Sequence, residues 1–117
     1  MQNDFCAEGG HVHLSGRDVS GVAASAFIGT DLDLLLRSRG IKTLLMTGVV
    51  SHCCVQATAW DGFMLDYYVV YVADCTAGRR DSLHQATLEN FEIYCGDVLN
   101  AADVAQLWQA QPVRTRV

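Results

Sequence analysis

The sequence has one proline and one lysine among its 117 residues, and charged residues make up only 18% of it. Because half of the residues are hydrophobic, this composition is typical of a folded domain and gives no indication of disorder. The eight Lys and Arg residues are scattered, and the formal net charge is −5. A nucleic-acid backbone calls for a basic patch, so we expect no nucleic-acid partner.

Signals for membranes and export, and the repeated cysteine spacing of a metal site, are also lacking. No apolar run is long enough to span a bilayer, and the first residues are polar and acidic, unlike a signal peptide. The five cysteines are odd in number and include no CxxC pair. We therefore expect a reduced chain in the cytoplasm, with no membrane partner.

Hydrophobic periodicity predicts helices that alternate with apolar strands. The predicted elements are a helix at 30–40, a strand at 41–50, a helix at 54–65, a strand at 67–74, a helix from 81 or 82, a strand at 93–95 and a helix from about 100. The two long strands lack polar alternation, which is typical of strands buried on both faces. Residues 1–27 show no strand or amphipathic helix. The alternation indicates a parallel α/β sheet, whose sites lie beyond the carboxyl ends of the strands.

Helix faces follow from the same periodicity. The second helix should turn Val55, Ala59 and Phe63 inward, and the last helix should bury the apolar residues Val104, Leu107 and Trp108. The tyrosines at 67, 68 and 71 lie in the second long strand and should belong mostly to the core.

Two adjacent cysteines, Cys53 and Cys54, lie where a strand pattern ends and a helix pattern begins. Cys54 opens the helix, so backbone N–H groups and the helix dipole would favour its thiolate and hold an oxyanion. Composition alone favours the alternative, in which each is a small buried hydrophobic residue.

Other candidates have weaker patterns. Asp4 is typical of a turn or helix cap, although a carboxylate that reached Cys54 would accept its proton. His11 and His13 form an H-x-H pair that suits zinc, but further ligands are not evident. His52 and His84 are more often packing or surface residues, and His52 is of interest because it adjoins the paired thiols.

Several sequence blocks resemble the isochorismatase-like cysteine hydrolases, in particular the amidohydrolases of ureidoacrylate, N-carbamoylsarcosine or biuret type. The blocks are "MQNDFCAEGG", "SAFIGTDLDLLLRSRGIKTLLMTGV", "SHCCVQATAWDGFMLDYYVVYVADCTA" and "EIYCGDV". The resemblance implies a three-layer αβα fold around a parallel sheet. It also implies a hydrolase that cleaves a non-peptide C–N bond in a small amide or carbamoyl substrate, through a cysteine thioester and without a cofactor or metal.

The family uses an Asp–Lys–Cys triad, and the resemblance assigns Cys54 as nucleophile and Asp4 as its acidic partner. The backbone N–H groups of Val50 and Cys54 would form the oxyanion hole, after a cis peptide bond at Val49–Val50. Lining residues for the substrate pocket would be Phe27, His52 and Trp60.

The sequence also departs from the family. Gly21 stands where the triad lysine is expected, and several tens of residues between "MQNDF" and "SAF" are missing, with the first three strands. We therefore predict a single domain over 1–117 with a junction near 20–24. The strand at 43–50 would become an open sheet edge, so a homo-oligomer is expected. An inactive family remnant that serves as a binding or structural subunit is the alternative.

Overall fold

The computed structural model describes the backbone of residues 11–14, 17–20 and 24–110, and the side chains of 24–110. The strands are β1 His11–Leu14, β2 Arg17–Ser20, β3 Thr43–Val49, β4 Tyr68–Ala77 and β5 Asp97–Leu99. The helices are α1 Leu32–Ser38, α2 Cys54–Met64, α3 Asp81–Tyr94 and α4 Ala101–Ala110. None of these described helices combines the length and the apolar character needed to cross a bilayer.

Strands β3, β4 and β5 form a parallel sheet in that order, as the alternation of elements predicts. β1 and β2 pair separately as an antiparallel hairpin. In the β3–β4 ladder the register shifts between Met46 and Gly48, where Gly48 adopts a φ of +99°. That backbone conformation favours glycine, and it lies just before β3 ends and the chain turns toward Cys54.

One face of the sheet carries the core. Val69 and Tyr71 lie on this face of β4, with Met46 opposite Tyr71 on β3. Buried residues of α1, α2 and α3 pack against them: Leu32, Leu36, Val55, Ala59, Leu88 and Phe91. The Tyr71 and Phe91 rings meet edge to face with centroids 4.9 Å apart. Helix α2 turns Val55 and Ala59 inward as predicted, but Phe63 is 40% exposed, so that part of the prediction is wrong.

Helix α4 covers the opposite face, since side chains alternate along a strand and α4 borders a cavity lined by Leu45 and Val70. The two layers of helices around the sheet confirm the αβα architecture. The predicted burial of Val104, Leu107 and Trp108 is wrong, because no residue of α4 is fully buried. Trp108 is 72% exposed, and α4 leaves a cavity of about 550 Å³ against the sheet.

Strand β3 is the edge of the described sheet, as predicted. Leu45 and Val49 are exposed on it, Val49 by 51%. The prediction that β3 is buried on both faces is therefore wrong. The apolar, non-alternating pattern of β3 suits an interior strand, and here no described strand pairs with its outer side.

Two further predictions fail for local reasons. Ile93 and Tyr94 belong to α3 and not to a strand, because the helix continues to Tyr94 and β5 begins only after Gly96. The strands β1 and β2 lie in the segment where no strand was predicted. Ser15 and Gly16 separate them in the sequence, which is the two-residue spacing of a hairpin.

Tyr67 ties α1 to the start of β4. Its buried phenol donates to the Asp33 carboxylate at 2.6 Å, and Arg37 lies 5.1 Å from its ring centroid. Burial and then the hydrogen bond to Asp33 raise the pKa of Tyr67 to about 12. The hydrogen bond from Tyr67, followed by Arg37, holds the pKa of Asp33 below its ordinary value.

This linkage predicts alkaline destabilisation. Below pH of about 10, the ordinary tyrosine pKa, the phenol is protonated in both folded and unfolded chains, and its contribution is complete. As pH rises from about 10 toward 12, the unfolded chain loses this proton first, so the free energy of unfolding should fall. Urea titrations at closely spaced pH values measure the fall. Tyr67→Phe should make it shallower, whereas Tyr68→Phe, at an exposed phenol, should leave it unchanged. Equal slopes in all three proteins would contradict the linkage.

Candidate active site

Cys54 is the first residue of α2 and is 2% exposed. Its sulfur accepts a hydrogen bond from the Val50 N–H at 3.3 Å, and the thiol donates to the Val49 carbonyl, also at 3.3 Å. The peptide bond between Val49 and Val50 is cis, as the family resemblance predicts. The thiol is thus hydrogen-bonded to both polar groups of this cis peptide unit, the Val49 carbonyl and the Val50 N–H.

A tight turn connects β3 to α2. The Val50 carbonyl accepts hydrogen bonds from the Cys53 N–H at 3.1 Å and from the Val55 N–H at 3.3 Å. These contacts close the chain into a turn just before Cys54. Cys53 is the N-cap residue of α2 and is half-buried. The two adjacent cysteines therefore differ in burial.

Thr58 links the first turn of α2 to the segment before α1. Its hydroxyl donates to the Cys54 carbonyl at 2.9 Å and accepts from the Ala26 N–H at 3.0 Å. This chain of bonds attaches the segment before α1 to the helix that carries the thiol. The side chain is half-buried, and its hydroxyl donates one bond and accepts one bond in this bridge.

Ser51, next to Val50, is fully buried and bonded on all its polar groups. Its N–H donates to the Ala77 carbonyl at 2.8 Å, and its carbonyl accepts from the Tyr71 phenol at 2.7 Å. Its hydroxyl lies 2.8 Å from Nδ1 of His84. The sequence pattern missed these contacts, because tyrosine in a buried strand and histidine in a helix are each typical of packing.

Gly78 allows this arrangement. A Cβ atom at this position would lie 3.0–3.1 Å from side-chain atoms of Ser51, His52 and His84. Glycine therefore gives the loop after β4 room to approach the turn that precedes Cys54. A glycine directly after the end of a strand is the sequence signal for such a close approach.

The Tyr71 phenol remains a donor across neutral pH. Burial, and to a smaller degree the nearby charge of an ionised Cys54, raise the pKa of Tyr71.

The predicted pocket residues make the following contacts. His52 accepts a hydrogen bond at Nε2 from the Arg79 N–H at 3.1 Å. Phe27 stacks on Tyr67 with ring centroids 5.9 Å apart, and Trp60 meets Phe63 edge to face at 6.2 Å. Their place in a substrate pocket stays a prediction.

Asp4 and Gly21, the acidic partner and the residue at the lysine position, lie outside the described residues. The side chains of His11 and His13, the candidate zinc ligands, also lie outside them. Within the described part of the chain, no three His, Cys, Asp or Glu side chains come together as a metal site.

Comparison with known proteins identifies the family to which this chain belongs. Residues 19–103 match the isochorismatase domain family, which is more than half of the chain. The chain belongs to the isochorismatase family.

Named relatives within the family include amidohydrolases. The chain is 43% identical over 93 residues to the ureidoacrylate amidohydrolase of Methylobacterium radiotolerans, covering 79% of this chain and 35% of that protein. The crystal structure of an isochorismatase-like hydrolase from Alkaliphilus metalliredigens matches with a TM-score of 0.72 and 34% identity, over 75% of this chain and 49% of that one. N-carbamoylsarcosine amidase from Thermoplasma acidophilum matches with a TM-score of 0.62 and 32% identity, over 71% and 46%.

The matches cover most of this chain but less than half of each matched protein described above. The chain spans about a third of the length of the curated relatives and about half of the solved structures. Its described three-stranded sheet is consistent with this shorter span.

Proposed function

We propose that the chain acts as a cysteine amidohydrolase that cleaves the C–N bond of a small amide or carbamoyl compound. The observation that carries this proposal is the Cys54 thiol, which sits at the first residue of α2 with the Val50 N–H at 3.3 Å. A helix N-terminus and a backbone donor are the surroundings that favour a thiolate and an oxyanion.

The proposed reaction has two steps. Asp4 accepts the proton of Cys54, whose sulfur attacks the substrate carbonyl carbon, and the N–H groups of Val50 and Cys54 hold the oxyanion. The intermediate collapses to a thioester as the C–N bond breaks, and Asp4 returns the proton to the leaving nitrogen. Water then hydrolyses the thioester and restores the thiol. No metal or cofactor takes part.

Family relatives support the substrate class. The named relatives act on ureidoacrylate or N-carbamoylsarcosine, and nicotinamidases are among the similar structures, for example that of Bacillus subtilis at a TM-score of 0.67 and 31% identity. Amide or carbamoyl nitrogen is the feature these substrate names share. Phe27, His52 and Trp60 are proposed to line the pocket.

A trapped thioester tests the proposal. We expect acid-quenched mixtures of the protein with ureidoacrylate, N-carbamoylsarcosine or nicotinamide to contain an acyl adduct on Cys54, which mass spectrometry with peptide fragmentation locates. Hydroxylamine should remove it, because thioesters react with this nucleophile. Ammonia or amine release without any adduct, or an adduct on Cys53 instead, would count against the mechanism.

A second candidate is an inactive family member that serves as a binding or structural subunit. Gly21 at the lysine position favours it, since the thiolate would lack a cationic neighbour. This chain would bind an amide compound, or a partner protein, with no turnover and no adduct.

We also propose that the chain works in the cytoplasm as a homo-oligomer. The thiols of Cys75 and Cys95 suit a reducing compartment. The apolar edge of β3, with Val49 exposed, suits coverage by a second copy. A sedimentation-velocity profile of a monomer at micromolar concentration would overturn the oligomer.

A further inference from the structure

The turn before Cys54 is anchored to three separate places in the fold through Ser51. The Ser51 N–H reaches the end of β4 at Ala77, its carbonyl reaches Tyr71 inside β4, and its hydroxyl reaches His84 on α3. Ser51 is fully buried and out of reach of water, so these bonds satisfy polar groups that solvent cannot satisfy. The Ser51 N–H and carbonyl belong to the two successive peptide units on either side of its Cα, so bonds to both fix the backbone of this residue.

The fixed backbone of Ser51 constrains the residue before it. Val50 precedes Ser51, and the Val50 N–H points at the Cys54 sulfur from 3.3 Å. The Ser51 carbonyl lies two peptide units after the Val50 N–H, so its anchor acts on that N–H through the backbone torsions of Val50 and Ser51. Without the anchor these torsions could relax, and the N–H would no longer be aimed at the sulfur. Misplacement by about 1 Å in a catalytic group can cost on the order of 10²-fold in rate.

We infer that Tyr71 and His84 are positioning residues: through Ser51 they aim the Val50 N–H at the Cys54 sulfur and so stabilise its thiolate. The inference rests on the proposed function, in which Cys54 is the nucleophile. The Tyr71 phenol bonds to the Ser51 carbonyl and the His84 ring bonds to the Ser51 hydroxyl, so each acts through the turn.

Tyr71 could instead be a packing residue whose hydroxyl is satisfied incidentally. Its ring lies in the core against Phe91, and a phenylalanine would keep that contact. The two roles differ in what the hydroxyl does. A packing role predicts a loss of stability on its removal, whereas a positioning role predicts a change in the chemistry of Cys54.

The test measures iodoacetamide alkylation of Cys54 in the folded protein against pH, with peptide fragmentation to assign the modified sulfur. In Tyr71→Phe the pH midpoint of the alkylation profile should rise by about 0.5 or more, because the thiolate loses a well-aimed hydrogen bond. Tyr67→Phe is the matched control. It removes another buried phenol, whose hydroxyl bonds to Asp33 and not to the turn, and should leave the midpoint as in the parent.

His84 supplies an independent arm. His84→Leu removes the partner of the Ser51 hydroxyl and should raise the midpoint, whereas His84→Asn keeps a polar group near the position of Nδ1 and should restore it. General loosening of the protein would change the plateau rate of alkylation, since it alters access, but not the midpoint.

The outcomes separate the two proposals. A low midpoint in the parent that is unchanged in Tyr71→Phe and His84→Leu overturns the positioning roles and leaves the nucleophile intact. A parent midpoint at the ordinary thiol value of about 8.5 overturns both. A rise that Tyr67→Phe shares equally overturns the positioning roles, because a phenol that bonds to Asp33 and not to the turn would then have the same effect.

Discussion

Cys54→Ala should lower the rate of amide hydrolysis on the order of 10³-fold or more, because no other group in the proposed mechanism forms the thioester. The loss should appear in kcat and in kcat/KM together, since binding of the substrate does not use the sulfur. Steady-state release of ammonia or amine measures it. The fold should persist, because a smaller side chain at the first residue of α2 leaves the helix and its neighbours in place.

Cys53→Ala is the matched control for this experiment. The two cysteines are adjacent in sequence, but Cys53 is the half-buried N-cap residue and has no proposed chemical role. This variant should keep the parent rate within about threefold, as expected for a change away from the reacting atoms. A large loss in Cys53→Ala with little loss in Cys54→Ala would assign the nucleophile to the other sulfur.

Local sequence patterns predicted much of the structure around the Cys54 thiol. The change from a β-branched run to a helical pattern at Cys54 predicted the start of α2, and the resemblance predicted the cis bond at Val49–Val50; the structure has both. The contacts of Ser51 could not be predicted in this way, because they join residues 20 and 33 positions apart in the sequence. Only the register of β4 and the approach of α3 bring Tyr71 and His84 to the turn.

The errors in the fold have a common physical source. Apolar character in β3 and α4 was interpreted as burial, but burial requires a partner surface as well as an apolar side chain. Val49 and Trp108 are both exposed because the described residues supply too little structure to cover them. The sequence pattern of an interior strand persists in β3, although the described sheet ends there.

Phe91→Ala should destabilise the fold by about 3 to 5 kcal/mol, the usual cost of removing a buried phenylalanine. Phe91 is 1% exposed, and its ring packs edge to face on Tyr71, so its removal leaves a cavity beneath the strand that anchors Ser51. A domain of this size typically has about 5 to 15 kcal/mol of stability, so the variant should approach the limit of folding. Urea denaturation, followed by circular dichroism, measures the change.

Phe63→Ala is the control for this prediction, since Phe63 is also a helical phenylalanine but is 40% exposed. Its cost should stay below about 1 kcal/mol, because much of its ring already meets solvent and alanine favours the helix. If Phe91→Ala does not fold, Phe91→Leu keeps most of the volume and should still lose more stability than Phe63→Ala. Equal losses at the two phenylalanines would mean that Phe91 does not occupy the core that supports the active-site turn.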